Sequence, residues 1–431
     1  MPLWIGPMRK HINGQKELTH HNEIIRIDAG KYVYIPLMNG FSTNIEVLVS
    51  EGDHVKVGTL VAKRNDNLIV PMFSSVSGVV TGKQTMMHAI LKPIEHLVIE
   101  NDGKYEFEQS FAPIDYKTAS REELVDFMMN AGIVGCGGAG FPSYIKYKNP
   151  TGIHTLIINA VECEPYITAD FRHIELSMND LILGTKAMLK MSNAKKALIA
   201  IKSNKKELIV KLKTALAGSP EIQVAEVPDV YPMGWERTLV FELTKKRYDR
   251  LPSEVGVVCN NATTAIAFAE ALRLGKPLVE KIITISGDGI KNPANVSVPV
   301  GVKTSEIVEK LGGYTADEVL VIAGGPMMGK TIPNDSFVVT PYGNAVTILK
   351  TQKINDVACL RCGRCNDTCP AGLLPVRINN AEKANDIETL EKLRSDQCIE
   401  CGLCSYVCPS KLDVTEGVRR AKRLMQLRAK K

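Results

Sequence analysis

The sequence predicts a multidomain fold of mixed α/β and α+β class, and three observations carry that prediction. The first hundred residues are rich in Val and Ile and alternate apolar with polar positions between glycine turns. A central region alternates buried-strand and amphipathic-helix patterns. Eight of the eleven cysteines fall between Cys359 and Cys408 at a repeated spacing. The expected units are a β-rich unit over 1–113, an α/β unit over 114–254, a β-grasp region over 255–350, and a helical cysteine module with a basic tail over 351–431.

The 431 residues, 45% hydrophobic and 23% charged, are enough for several cores. A net charge of +6 is too small and too dispersed to indicate nucleic acid, and no nucleic-acid partner is expected. No stretch reaches the roughly 18 uninterrupted apolar residues of a membrane span, and MPLWIGPMRKHING lacks the apolar run of a signal peptide. The expectation is a cytoplasmic chain that spans no membrane.

In the first unit, VLVSEGDHVKVGTLVAK (Val47 to Lys63) and VPMFSSVSGVV (Val70 to Val80) show the period-2 pattern of half-buried strands. The pattern resembles the barrel-sandwich hybrid of lipoyl and biotinyl carrier domains. Those carriers present a modifiable lysine, usually beside methionine. No such lysine motif lies between Lys63 and Ser77, so the unit reads as structural.

The second unit opens with SREELVDFMMNAG, a helix pattern with Ser120 as N-cap, Glu123 three residues on, and Leu124, Phe127 and Met128 on one face. GIVGCGGAGFP follows, carrying G-x-G-x-x-G at Gly135, Gly137 and Gly140. In a Rossmann unit such glycines follow a strand and open a helix. Here they follow a helix, and Phe141-Pro142 disfavours immediate helix formation. The α/β unit is therefore read as non-Rossmann.

Strand patterns at 154–160, 197–201 and 222–227 then alternate with helix patterns at 179–191 and 205–217. Glu162 and Glu164 follow the first strand, Glu236 lies in YPMGWER, and Asn260, Asn261, Thr263 and Thr264 sit at the strand-to-helix transition of VVCNNATTAIAF. Carboxylates flanking Cys163 suit acid/base or metal chemistry, and equally suit solvated loop charges. Cys136, Cys163 and Cys259, each isolated, read as small buried hydrophobes. The third unit, KIITISGDGIKNPANVSVPVGVKTSEIVEKLGG, reads strand, turn, strand, helix; poor in ligands, it is assigned a packing or docking role.

The cysteine runs CLRCGRCNDTCP and CIECGLCSYVCP are each C-x2-C-x2-C-x3-C-P. That spacing wraps three thiolates around one 4Fe-4S cluster and sends the fourth to a second. Cys359, Cys362, Cys365 and Cys408 are expected to hold one cluster; Cys369, Cys398, Cys401 and Cys404 the other. Gly363 and Gly402 allow tight turns between ligands, and Pro370 and Pro409 end the loops. Zinc would need four ligands per site and has no use for the repeated pattern. Two nearby clusters make a one-electron relay. The terminal GVRRAKRLMQLRAKK, with seven basic residues and no acidic one, suits a solvated helix end or an electrostatic docking segment.

Together these residues resemble the flavoprotein fold of the NADH-binding subunit of respiratory complex I, and more closely the RnfC family of the Rnf electron transport complex. The resemblance covers nearly the whole chain in order. It implies that Gly135, Gly137, Gly138, Gly140 and Phe141 bring backbone close to FMN and that Lys146 serves the flavin phosphate. It further implies that Asn159, Glu162 and Glu164 surround the isoalloxazine and nicotinamide, with Glu236, Asn260, Asn261 and Thr263 completing the flavin site. Val161, Asn149 and Trp235 depart from the family pattern. The implied cofactors are FMN, NAD(H) and two 4Fe-4S clusters. The implied partners are ferredoxin or a ferredoxin-like subunit and the membrane Rnf subunits, with attachment at the cytoplasmic face of the cell membrane. A stand-alone reductase of the proline-reductase-associated or cobalamin type, and an iron–sulfur wiring scaffold without enzymatic activity, are the alternatives.

Overall fold

The alternating residues of the first unit pair into two small antiparallel sheets. One runs Tyr32–Pro36, Lys92–Asn101, Gly78–His88, His54–Val55, and the other Ile45–Val47, Leu60–Asn65, Ile69–Phe73. Val33, Ile35, Val61, Val80, Leu97 and Ile99 point inward between them, as a half-buried strand pattern requires. The computed structural model describes Gly6, residues 10–138 and residues 140–428. Most of the leading MPLWIGPMR, Ala139 of the glycine loop and the last three residues of the basic stretch lie outside the described residues.

The α/β unit is built on a four-stranded parallel sheet ordered Ile222–Val227, Lys196–Lys202, Thr155–Asn159, Val257–Asn261, or 3-2-1-4 in chain order. Thr155–Asn159 is a continuous apolar run because both faces are covered. Leu156 and Ile158 enter the core under the helices, and Ile157 enters the opposite core with Leu239 and Val240 of helix Glu236–Thr244. Helix Arg121–Asn130 begins at Ser120 with the expected reciprocal capping bonds to Glu123, and it buries Leu124, Phe127 and Met128.

Strand Val257–Asn261 and helix Ala262–Leu274 belong to this sheet and its core, so a boundary at 254/255 cuts through the α/β unit. The edge strand joins the sheet across a hundred residues of intervening chain. Local pattern carries no trace of that pairing.

The third unit is a six-stranded mixed sheet that includes Glu280–Ser286, Ala294–Pro299, Val319–Ala323 and Ala345–Lys350, with helix Thr304–Lys310 packed on it. Its edge is the N-terminal strand Ile25–Arg26, paired in parallel with Val296 and Ser297. The cysteine module is helical, with Pro375–Lys383, Ile387–Lys392 and Val414–Arg428 around Ile378, Leu390, Val414 and Val418. The described part of the basic stretch therefore belongs to a helix packed on the module's core. Arg419 and Lys422 pair with Glu400 and Arg420 with Glu382, so much of its charge is met within the module. Among the described residues no helix is long and apolar enough to cross a membrane.

Gly184 in helix Met178–Ser192 lets that helix approach helix Ala262–Leu274: a Cβ there would lie 1.9 Å from the Ala265 carbonyl oxygen. Gly184→Ala should destabilise the chain by about 1–3 kcal/mol through forced separation of the two helices. An unchanged denaturant midpoint would contradict this packing.

Candidate functional site

Asn159 and Asn261 end two parallel strands opposite one another, where the chain order of the sheet reverses. In open parallel sheets ligands bind beyond the carboxyl ends at such a reversal. Asn261 caps the following helix, its Oδ1 accepting from the amides of Thr263 at 2.8 Å and Thr264 at 3.4 Å. Asp170 then accepts from Asn261 Nδ2 at 2.6 Å and from Thr263 Oγ1 at 2.8 Å.

The glycine loop folds against this helix start. Gly135 N donates to Phe141 O at 2.8 Å, Gly140 N to Gly135 O at 3.2 Å, and Cys136 N to Thr264 Oγ1 at 2.9 Å. Gly137 abuts Asn261, and Gly138, with φ of 106°, has open space where a side chain would stand. Both glycines are exposed, and so is Phe141. This is a backbone cradle with room for a flat or phosphorylated ligand. Neighbouring units hold it in place: Asn39 donates to Gly140 O at 3.3 Å, and the ring of Tyr342 packs over Gly140.

Beneath the loop, Lys146 Nζ donates to Cys259 O at 2.5 Å and Asn260 donates to the Tyr147 hydroxyl. Asn159 Nδ2 donates to Gly234 O at 2.7 Å, which ties the first strand end to YPMGWER. Glu236 accepts from the Tyr248 hydroxyl at 3.2 Å. Cys136 and Cys259 are buried, and burial pushes both thiols up, Cys259 to about 12, as inert core residues.

The two glutamates after the first strand face different ways. Glu162, at φ 42°, accepts from Asp170 N at 2.7 Å and so joins the Asn261–Thr263 group. It also lines a cavity of about 240 Å³ with Lys16, Lys202, Lys205 and Phe171. Burial raises its carboxyl and Lys16 opposes that rise. Glu164 points to the β-grasp unit, accepting from Met327 N at 3.2 Å and Met328 N at 2.8 Å, and lies 3.4 Å from the Tyr231 hydroxyl. Burial pushes it up to about 7 despite those donors. Tyr231 itself donates to Cys401 O at 2.9 Å. Asp170 and Tyr231 lie inside the motifs ITADFR and YPMGWER, so their neighbourhood carried a local signal. Lys16, 146 residues before Glu162, carried none.

The two cysteine motifs adopt the same turn twice. Arg361 and Glu400 lie at φ 54° and 58°, Gly363 and Gly402 at 77° and 78°, and the amides of Arg361 and Glu400 point at the sulfurs of Cys359 and Cys398 at 3.4 and 3.3 Å. Gly402 is required twice over, since a Cβ there would also strike the Met327 carbonyl oxygen at 2.6 Å.

Cys369, Cys398, Cys401 and Cys404 line one small cavity with Ile399, Leu403 and Val418. Burial raises all four thiols, Cys398 to about 11 and Cys404 to about 12. Among the described residues no three His, Cys, Asp or Glu side chains gather for a single metal ion. The four thiols line a shared space. Cys359 and Cys362 are exposed; Val357 N donates to Ser410 O at 3.1 Å and brings their loop beside Cys408.

Four family models match in order: the RnfC barrel sandwich hybrid domain (residues 10–104), the Nuo51 FMN-binding domain (128–270), the SLBB domain (282–331) and the 4Fe-4S dicluster domain (358–412). The chain is 33% identical to the C-subunit of the proton-translocating ferredoxin:NAD(+) oxidoreductase complex of Clostridium ljungdahlii, covering 85% of this chain and 81% of that one. It is 34% identical to the C-subunit of the ion-translocating oxidoreductase complex of Rhodobacter capsulatus (89% and 76%). It is 32% identical to the C-subunit of the Na(+)-translocating ferredoxin:NAD(+) oxidoreductase complex of Acetobacterium woodii (82% and 82%). A chain of an NAD+-reducing NiFe hydrogenase superposes with a TM-score of 0.51 at 18% identity, over 74% of this chain and 64% of that one, a likeness of fold.

Because the folded-state carboxyl of Glu164 titrates higher than its ordinary 4.5, the native state holds its proton longer than the unfolded chain. Its contribution to stability therefore falls as pH rises from about 4.5 to about 7. Glu164→Gln should remove that slope and gain about 1–3 kcal/mol at pH 8 relative to pH 5, when each protein is referred to its own value at pH 5. Parallel stability–pH curves for the two proteins would refute the assignment.

Proposed function

Since the chain belongs to the RnfC family of ion-translocating ferredoxin:NAD+ oxidoreductase complexes, we propose that it exchanges electrons between NAD(H) and a one-electron carrier through FMN and two 4Fe-4S clusters. The observation that carries this reading is the contact of the second cysteine motif with the α/β unit. Ile12, Tyr231, Cys401 and Leu403 form one apolar cluster, and Tyr231 bonds the Cys401 carbonyl directly.

The glycine cradle would take FMN, with Gly137 and Gly138 offering backbone, Lys146 offsetting phosphate charge, and Asn159, Asn260, Asn261 and Thr263 supplying polar contacts. Bound FMN accepts the electron pair of a nicotinamide and releases electrons singly, which is the form an iron–sulfur cluster carries. Cys369, Cys398, Cys401 and Cys404 would hold the cluster nearer the flavin. Cys359, Cys362, Cys365 and Cys408 would hold the outer one, whose exposed loop suits hand-over to ferredoxin, a ferredoxin-like subunit or membrane partners. Glu164 keeps the β-grasp unit, and with it the cysteine module, against the strand ends, while Glu162 holds the Asp170 amide near the cradle. In this setting net flow runs from reduced ferredoxin to NAD+, with the protein peripheral to the membrane.

After anaerobic reconstitution, with flavin and iron both quantified, NADH should bleach the iron–sulfur absorbance; fully loaded protein that does not bleach would overturn the proposal. Cys401→Ala should lose up to about half the iron and slow electron transfer to the remaining cluster, while flavin reduction by NADH persists. Loss of flavin reduction in that variant would contradict the order of carriers.

A further inference from the structure

The loop after the first parallel strand contains two non-glycine residues in the left-handed region, Glu162 at φ 42° and Tyr166 at φ 66°. Such conformations cost energy and persist only where surroundings impose them. Both are held by the N-terminal segment. Gly14 O accepts from Tyr166 N at 2.7 Å, and Lys16 Nζ donates to the backbone oxygens of Glu162, at 2.9 Å, and Ile167. The same ammonium lies 3.8 Å from the Glu162 carboxylate, in a pair whose side chains are only 16% and 6% exposed.

From Glu162 the contacts continue through the Asp170 amide to the Asp170 carboxylate, then to Asn261 and Thr263 at the helix start, and so to Gly137. We infer that Lys16 is a positioning residue of the flavin site, holding Glu162 and through it the Asp170–Asn261–Thr263 group that shapes the glycine cradle. This rests on the flavin reading above. A buried ammonium that only filled space would be replaceable by an apolar side chain, whereas this one bonds two carbonyls and faces a carboxylate. The other charged or titratable groups around the pair are Asp170, Glu164, Cys163, Lys202 and Lys205.

The test compares Lys16→Met and Lys16→Arg in the full-length chain loaded with FMN and both clusters. Two quantities are read: FMN dissociation, by fluorescence of released flavin, and the flavin midpoint potential against pH. Lys16→Met should weaken FMN binding about tenfold, the 1.4 kcal/mol expected of one lost charge-assisted bond. It should also move the break in the potential–pH profile to higher pH, because Glu162 loses the cation that favours its ionised form. Lys16→Arg should restore most of both. A folded Lys16→Met protein with FMN affinity within about twofold of the parent and the same pH profile would overturn the inference.

Thermal stability of the flavin-free chain supplies a reading independent of flavin. Lys16→Met and Glu162→Gln should be non-additive there, and strict additivity would overturn the pairing itself. If the unaltered chain binds no FMN while the coupling is present, it is the flavin reading that fails.

Discussion

A partly enclosed carboxylate, that of Glu164, sits where three of the four units meet. Its oxygens receive the amides of Met327 and Met328 from the β-grasp unit, and the Tyr231 hydroxyl beside it bonds the backbone of Cys401. Met327 in turn rests on Gly402. Desolvation works against the charge, and the donors around it are what make the position tolerable. A side chain without acceptors would leave two amides unanswered at this junction, which the apolar cluster of Ile12, Tyr231, Cys401 and Leu403 also holds.

The same economy appears in the α/β unit. Asp170 is buried, yet its oxygens are taken by Asn261 and Thr263 and its amide by Glu162, so one short chain of contacts fixes the helix start, the glycine loop and the strand end together. Rigid preorganisation of this kind serves electron exchange, where the protein contributes position and electrostatics and the cofactors contribute the chemistry.

Much of this was legible in advance, and the reasons differ from element to element. Ser120 and Glu123 announce a helix because a capping box is local chemistry, and the cysteine spacing announces clusters because ligand geometry constrains sequence separation directly. Asn261 was legible as a strand-to-helix transition for the same local reason. Contacts across long separations were not. Val257–Asn261 joins the sheet beside Thr155–Asn159, and nothing in either run names its neighbour. Lys16 sits in an unpatterned segment, and its partners are defined only once the loop containing Glu162 has folded. The basic helix Val414–Arg428 reads as a solvated helix end or docking segment because Val414, Val418 and Ala421 are too few to show through its five basic residues, yet they suffice to anchor it.

The placement of Ile25 and Arg26 has a consequence for biogenesis. These residues leave the ribosome well before their strand partners, Val296 and Ser297, which lie some 270 residues later. Ile25 and Arg26 must remain unpaired until Val296 and Ser297 have been made, since the mixed sheet offers them no edge before then. Closure of the mixed sheet therefore stitches Ile25 and Arg26 to chain made some 270 residues after them.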